Sequence, residues 1–458
     1  MPGTEPQKLV LIVIDGLTPA VFEEAVDRRR TPALAFLAEH GSYRRGVSTF
    51  PSLTPVCLSS IATGAHPDVH HIPHLVWFDR GARRIVEYGS SFGALVAAGT
   101  RRSIRDSIFE LSASHLSPDA VTVFEAVADA GLVPAAINFT CYRGRTPHRA
   151  TLPWISREVL GPRRFFFFNL FESDSTGAPL AVRRRAAGSV DGYATAVGRW
   201  LVTRDGFDFL VYYLSDYDYV SHAKGPDGAG EALVRTDAAV GALLDAAGGW
   251  DEFLERYAVV LCADHGQTRI TQATALESRF DGLTLFRRSG LDRPDVAVTA
   301  SNRAGQIYRL PGCLEDARQL AARLDGEPAV EVSLFLEDGE GVARRDGEEV
   351  RFSPSGTSGD TSILDHPAGV ERAWAALKNP NAGDLLVSAA AGWEFADLGG
   401  RHHAGGGSHG SLGAGDSEVP MLTIGLDTAP TGIVDVAPLV LDHFGVQPPP
   451  YARPLVTA

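Results

Sequence analysis

The sequence predicts an α/β protein with a mostly parallel central sheet, helices on both faces, and a smaller α+β subdomain inserted or capping beside it. Three observations carry this expectation. Continuous runs of Val, Ile and Leu alternate with helical patterns, three of those runs stop abruptly at carboxylates, and from about residue 281 to 399 the pattern changes to short strands joined by Asp-Gly turns. At 458 residues the chain exceeds one ordinary domain. The expected division is a catalytic core of residues 1–280 and 400–458, with 281–399 as the inserted subdomain.

In chain order, "KLVLIVID" is apolar on both faces, as a strand buried in a parallel sheet must be, and it ends at Asp15-Gly16. "TPALAFLAEHG" is a helical pattern closed by glycine. In "STFPSLTPVCLSSIATG", threonine is a favoured N-cap and proline a favoured first helical residue, so a helix is expected with Thr54 as its cap and Gly64 as its end. "AVTVFEAVADAG" reads as a further helix. In "FDFLVYYLSDYDYVSH" the apolar run Phe209 to Leu214 stops, and Asp216, Asp218 and His222 follow. "LVRTDAAVGALLDAAGG" is helical, and "YAVVLCADHG" is a strand ending at Asp264-His265. "AVTASNRAGQIYRL", "AVEVSLFLEDG" and "EGVARRDGEEVRFSPSG" read as strands and hairpins, with the helical "LEDARQLAARLDG" among them. Finally "GGGSHGSLGAGDSE" brings a glycine-rich loop with His409 to the last strand, "VPMLTIG".

Alternation of strand and helix implies βαβ units. Ligands of open α/β sheets bind beyond the carboxyl ends of the strands. Three strands with acidic exits therefore gather carboxylates along one edge, which is the expected active site.

Composition narrows the chemistry. Hydrophobic residues at 44% and charged residues at 21% describe a soluble globular protein, and no apolar run reaches the roughly 18–20 residues of a membrane span. The N-terminal "MPGTEPQKLVLIVIDG" lacks the basic region and cleavage site of a secretory signal, so a cytoplasmic protein is expected. Four cysteines, Cys57, Cys141, Cys262 and Cys313, lie far apart and suggest no disulfide framework. A net charge of −14 argues against a nucleic-acid polymer as partner. Lysine is confined to Lys8, Lys224 and Lys378, so an anionic substrate calls for a metal as its positive centre.

Asp15, Asp218, His222, Asp264, His265 and His409 supply carboxylate oxygen and imidazole nitrogen, donors suited to Zn²⁺, in sufficient number for two three-ligand sites. Two such ions would clamp the attacking and leaving oxygens of an in-line displacement. A threonine at a helix N-terminus sits where an oxyanion is favoured, but its hydroxyl needs activation to act as a nucleophile. Each motif alone has an ordinary structural explanation: Thr-Pro is a common helix start and Asp-Gly a common turn. Their joint placement is harder to explain that way.

"LIVIDG", "FPSLTPVCLSSIATGAHPDVHHI", "DYDYVSHAKGPDG", "CADHGQT" and "GSHGSL" resemble, in order, the metal and nucleophile motifs of the type I phosphodiesterase/nucleotide pyrophosphatase family of the alkaline phosphatase superfamily. "IVDVAPLVLDHFGVQPPP" resembles the superfamily's closing strand and helix, so the resemblance covers nearly the whole chain. It implies an alkaline-phosphatase-like core and a two-metal phosphoric ester hydrolase acting on a small phosphate ester or nucleotide-like substrate. By that resemblance Asp15, Asp264 and His265 bind one zinc, which also takes the Thr54 oxygen, while Asp218, His222 and His409 bind the other. Thr54 is then the nucleophile, forming a covalent phosphothreonine that water hydrolyses; Ser52 is the alternative nucleophile, Asp216 the alternative to Asp218, and Mn²⁺ the alternative to zinc.

One departure concerns the asparagine that in the family donates to a phosphoryl oxygen. Its position here is Leu75, which cannot donate, with His74 beside it as a substitute. Phosphomonoesterase, phosphonate or sulfate-ester hydrolase, and phosphomutase-type isomerase are the competing activities. His66, His70, His71 and His74 form a histidine-rich turn read as solvated or supporting; Arg143, Arg145 and His148 are either a second anion site or a solvated basic loop. Phe165 to Phe168 with Phe171 read as core packing, and His402 and His403 as non-ligands.

Overall fold

The computed structural model describes residues 6–151, 157–173, 175–178, 189–286, 293–359 and 361–453. Strands of its two large sheets are labelled here in chain order. The first seven are β1 (Lys8–Ile14), β2 (Ser42–Val47), β3 (Pro134–Ile137), β4 (Arg164–Phe167), β5 (Phe171–Glu172), β6 (Phe209–Leu214) and β7 (Tyr257–Cys262). Seven more follow: β8 (Val296–Ser301), β9 (Ala304–Arg309), β10 (Val330–Glu337), β11 (Glu340–Arg345), β12 (Glu348–Ser353), β13 (Gly356–Gly359) and β14 (Leu385–Ala389). The chain closes with β15 (Glu418–Ile424).

The central sheet has eight strands in the order β2-β15-β7-β1-β6-β3-β4-β5. Five neighbours, β7-β1-β6-β3-β4, run parallel; β15 and β5 run antiparallel to them, and β2, antiparallel to β15, runs in their direction. The expected mostly parallel α/β core is therefore present. Every residue of β6 and β7, and of β1 after Lys8, is buried. Burial of each large apolar side chain contributes roughly 1.5–3 kcal/mol, so the middle of the sheet is held by hydrophobic packing and its polar strand ends are free for chemistry.

The second sheet is antiparallel, seven-stranded, in the order β8-β9-β14-β10-β11-β12-β13. Its hairpin β8–β9 turns at Asn302-Arg303, with Asn302 at φ +57°. That tip is fixed to the glycine-rich segment of the core: Arg303 N–H donates to the His409 carbonyl (2.8 Å), and its guanidinium makes two 2.7 Å contacts to the buried Asp416 carboxylate.

The helix Thr54–Thr63 corrects the expected cap by one residue. Leu53 is the N-cap and Thr54 is already helical. Proline suits any position of the first turn, where its missing N–H leaves no bond unmade, so Pro55 alone does not fix the register. The end does fall at Gly64, whose φ of +67° and 2.6 Å clearance between an added Cβ and Pro438 admit only glycine. Residues 75–116 form a hairpin (Val76–Asp79 with Arg84–Glu87), two short helices (Phe92–Ala98, Thr100–Arg105) and the π-helical segment Asp106–His115.

Candidate active site and metal centre

Strands β7, β1 and β6 lie side by side and in register at their carboxyl ends, with Ile14 opposite Leu214 and Val13 opposite Cys262. Asp15, Asp264 and, one turn into the helix Asp216–Lys224, Asp218 consequently meet at one edge. Gly16 makes this convergence possible: its φ is +70°, its N–H donates to Asp264 Oδ1 (3.2 Å), and a Cβ there would collide with Asp218 Oδ1.

Three histidines complete the cluster in one common way. His265 Nδ1 donates to the Gly266 carbonyl (3.0 Å), His409 Nδ1 to the Ser52 carbonyl (2.7 Å) and His222 Nδ1 to the Gly407 carbonyl (2.9 Å). A carbonyl can only accept, so each Nδ1 carries a proton and each Nε2 is the ring nitrogen turned to the interior. Metal-ligating histidines are held in this manner.

Asp15, Asp264 and His265 place one donor atom each within 4.8 Å of one another, and so do Asp218, His265 and His409. His265 and His409 are stacked, with ring centroids 3.6 Å apart. His222 stands at the margin, with Nε2 3.3 Å from Asp218 Oδ2 and its ring 5.1 Å from that of His409. Thr54 Oγ1 lies 3.1 Å from His265 Nε2.

Electrostatics make the cluster uncomfortable by itself. Burial, then Asp264 and Asp218, push Asp15 well above the ordinary carboxylate range. Burial also raises Asp264, although His265 opposes the shift. At Asp218 burial is outweighed by His222, with His409 and His265 assisting, and its carboxyl is held well below its usual range. Asp15 Oδ1 and Asp264 Oδ2 are buried and accept no hydrogen bond. Orphaned buried carboxylate oxygens facing inward imidazole nitrogens fit divalent cations.

Several residues unnoticed in the sequence support these groups. Tyr213 donates its hydroxyl to Asp15 Oδ2, and Gln267 donates its amide to Asp218 Oδ1. Asn302 Nδ2 is 3.0 Å from His409 Nε2. No local signal marks them: Tyr213 reads as one more apolar strand residue and Asn302 as a turn former.

The remaining candidates separate cleanly. Ser52 is buried and donates to the Ser411 carbonyl (2.9 Å), away from the cluster. Asp216 accepts from the N–H groups of Val190 and Asp191, capping another helix. His74 is fully buried, its Nδ1 accepting from Val76 N–H, and does not line the cavity, whereas Leu75 does. His66 faces Glu371 (3.3 Å) and His70 faces Ser60 (3.2 Å). Arg143 and Arg145 pair with Glu125, and His148 bonds Ser173, so the second anion site proposed for that loop is absent among the described residues. Phe165, Phe166, Phe167 and Phe171 are core residues, whereas Phe168, expected with them, is exposed. His403 pairs with Glu394 (3.1 Å) and packs on His222.

A cavity of about 610 Å³ opens over Thr54, Asp218 and His409. Its apolar lining comes from Leu75, Tyr88, Phe92, Leu95 and Leu111, and Arg401 lines it as well. Glu87 is buried behind that wall, accepting from Gly89 N–H (2.7 Å), Ser90 N–H (2.6 Å) and Ser90 Oγ (2.9 Å). Burial lifts its carboxyl from 4.5 to about 7, with a small push from Asp397 and against those hydrogen bonds. A raised carboxyl favours the protonated folded state, so its stabilisation is full below 4.5 and is lost as pH rises through about 7. Thermal denaturation should therefore show stability falling between about pH 5 and 8 by a few kcal/mol, and Glu87→Gln should remove that part of the slope.

Comparison with known proteins follows the same lines. A family model described as type I phosphodiesterase / nucleotide pyrophosphatase matches residues 9–412. No curated protein matches the sequence. Among solved structures, murine ectonucleotide pyrophosphatase/phosphodiesterase 5 superimposes with a TM-score of 0.63 at 13% identity, over 99% of this chain and 98% of its own. An inactive form of that murine protein, solved in complex with AMP, gives 0.63 at 14% identity over 99% and 97%. Phosphonoacetate hydrolase from Sinorhizobium meliloti 1021, solved with phosphonoformate, gives 0.61 at 19% identity over 96% of both chains. These superpositions establish the alkaline-phosphatase-like fold expected from the motifs.

Proposed function

Because the chain belongs to the type I phosphodiesterase/nucleotide pyrophosphatase family, whose members are metal-dependent phosphoester hydrolases, we propose that it cleaves a phosphodiester or nucleotide-like pyrophosphate through Thr54. The observation that carries this reading is the Thr54 hydroxyl: it caps nothing and faces His265 Nε2 at 3.1 Å, on the floor of the cavity. Asp15, Asp264 and His265 would hold one metal ion, and Asp218, His222 and His409 a second. Zinc suits these donors, with Mn²⁺ the alternative. The ions would supply charge neutralisation for the attacking and leaving oxygens.

Thr54 Oγ1 gives up its proton and bonds to phosphorus as the bond to the leaving oxygen breaks and that oxygen takes up a proton, giving a free alcohol or phosphate and a phosphothreonine that still carries the substrate's other ester group. Water then attacks that phosphorus, the phosphomonoester is released, and Thr54 recovers its proton. Within the first helical turn Pro55 has no N–H, and Val56 and Cys57 both donate to the Leu53 carbonyl. The Thr54 N–H is thus the one donor of that turn left for a phosphoryl oxygen.

The apolar wall suits the second ester group of a diester. A second reading, a phosphonate or monoester carrying additional negative charge, is favoured by Arg401, which lines the cavity and has no ion-pair partner among the described residues. Residues 281–399 are proposed as an inserted subdomain that brings Asn302 to the site. All four cysteines are free, in keeping with a reducing, cytoplasmic setting. No helix of the described residues is long and apolar enough to cross a membrane.

Zinc-loaded protein should hydrolyse bis(p-nitrophenyl) phosphate faster than p-nitrophenyl phosphate or phosphonoacetate, and Asp218→Ala should lose about one of two metal equivalents by elemental analysis. Faster turnover of the monoester or phosphonate would move the enzyme to the second reading. Unchanged metal content in Asp218→Ala would contradict the ligand assignment.

A further inference from the structure

A phosphoryl group on Thr54 needs donors for its non-bridging oxygens, and the surroundings are poor in them. Most of the first-turn N–H groups are used or missing, Leu75 is apolar, and His74 is buried outside the cavity. The geometry points to Asn302 as the side-chain donor to the phosphoryl oxygen, delivered from the second sheet; this rests on the phosphoryl-transfer reading above.

Asn302 is only 7% exposed, yet it lines the cavity that contains Thr54. Its backbone is fixed at the hairpin tip, where its carbonyl accepts from Phe395 N–H (2.7 Å) and Arg303 beside it is anchored to Asp416. Its φ of +57° is one that asparagine adopts more readily than most residues. The amide orientation follows from chemistry. Oδ1 accepts from Ser301 Oγ (3.2 Å), while Nδ2 is 3.0 Å from His409 Nε2. Since His409 Nδ1 donates to Ser52, Nε2 carries the lone pair, and only an NH₂ group can face it favourably.

The side chain thus presents two N–H donors beside a metal-ligand candidate. The amide now stands on the Nε2 lone pair, so a metal bound there turns it aside and removes that acceptor, and a buried donor left without one costs about 1–3 kcal/mol. A phosphoryl oxygen restores the missing acceptor. Asn302 would therefore favour the loaded site holding a tetrahedral oxyanion over the loaded site without one.

The test uses Asn302→Gly, which keeps the positive φ and deletes the amide, and Asn302→Asp, which keeps the shape and replaces donors by acceptors. Both are compared with wild type for metal content, for vanadate affinity by calorimetry, and for hydrolysis of bis(p-nitrophenyl) phosphate. The expected result is unchanged metal stoichiometry, at least tenfold weaker vanadate binding and a fall in kcat of about 10²–10³. If Asn302→Gly fails to fold, Asn302→Asp carries the same expectation. Wild-type kcat and vanadate affinity in a folded variant would overturn the proposal. So would loss of metal, which would make Asn302 a support for His409 alone. A metal-loaded wild type that neither hydrolyses the diester nor binds vanadate would instead remove the phosphoryl-transfer reading, and this donor with it.

Discussion

Thr54→Ala is expected to give a folded, metal-loaded protein whose turnover has fallen by a factor on the order of 10⁴ to 10⁶, the scale on which removal of a nucleophile acts. The substitution deletes the only hydroxyl in the cavity floor that faces His265 Nε2 among the described residues. It disturbs little else. The helix is capped at Leu53, not at Thr54, and the residues after it, 55–63, are packed in the interior whatever stands at its first position. Loss of one hydrogen bond amounts to about 1 kcal/mol, small beside the burial of that helix. Ser52 cannot take over, because its hydroxyl is buried and bonded to the Ser411 carbonyl. Thr54→Ser should retain measurable activity, and a slow substrate should leave a phosphoryl adduct on wild type, detectable by mass spectrometry and missing from Thr54→Ala. Retained turnover in the alanine variant would remove Thr54 from the reaction.

The largest effect on stability is expected from Asp416→Ala, about 3–5 kcal/mol in urea denaturation. Arg303 Nη1 reaches both oxygens of Asp416, and the two side chains are 3% and 0% exposed. Asp416 also accepts from Ser411 N–H (2.8 Å), Ser411 Oγ (2.6 Å) and Thr268 Oγ1. Arg303 donates its remaining N–H groups to the carbonyls of Trp393, Ala389 and Ala390. Removal of the carboxylate alone leaves a buried guanidinium unpaired, and that residual charge accounts for most of the cost. Replacing both partners by apolar residues, Arg303→Met with Asp416→Leu, should recover a large share of the loss. Full stability in the single variant would show that the pair is dispensable. Since Ser411 is two residues from His409 and Arg303 adjoins Asn302, activity should fall with Asp416→Ala even where the protein stays folded.

These two cases also show what was legible in the sequence. β1, β6 and β7 could be read because both their faces are buried, which leaves continuous Val, Ile and Leu runs, and because each run is broken by aspartate where the sheet ends. Their adjacency puts Asp15, Asp218 and Asp264 at one edge, as the parallel architecture required. The start of the helix Thr54–Thr63 lies one residue from where the sequence puts it, because proline tolerates more than one position of a first turn. The Arg303–Asp416 pair spans 113 residues and leaves no trace in local pattern. Tyr213 was hidden for another reason: a tyrosine within an apolar strand shows its polar end only when a neighbouring strand brings Asp15 to it. Arg143 and Arg145 show the reverse: a basic loop looks available in the sequence, but Glu125 and Asp129, distant from it in the chain, pair with it in the fold.

The wall that faces a substrate and the groups that would act on it come from different parts of the chain. Leu75, Tyr88, Phe92, Leu95 and Leu111 all belong to one continuous stretch of fewer than forty residues, while the acidic and histidine side chains are set by strand ends and loops elsewhere. Preference and chemistry are consequently separable in heredity. Substitutions within that single stretch can recast this wall without touching Asp15, Asp218, Asp264 or the three histidines, so the shape of the cavity and the chemistry of the cluster can vary independently.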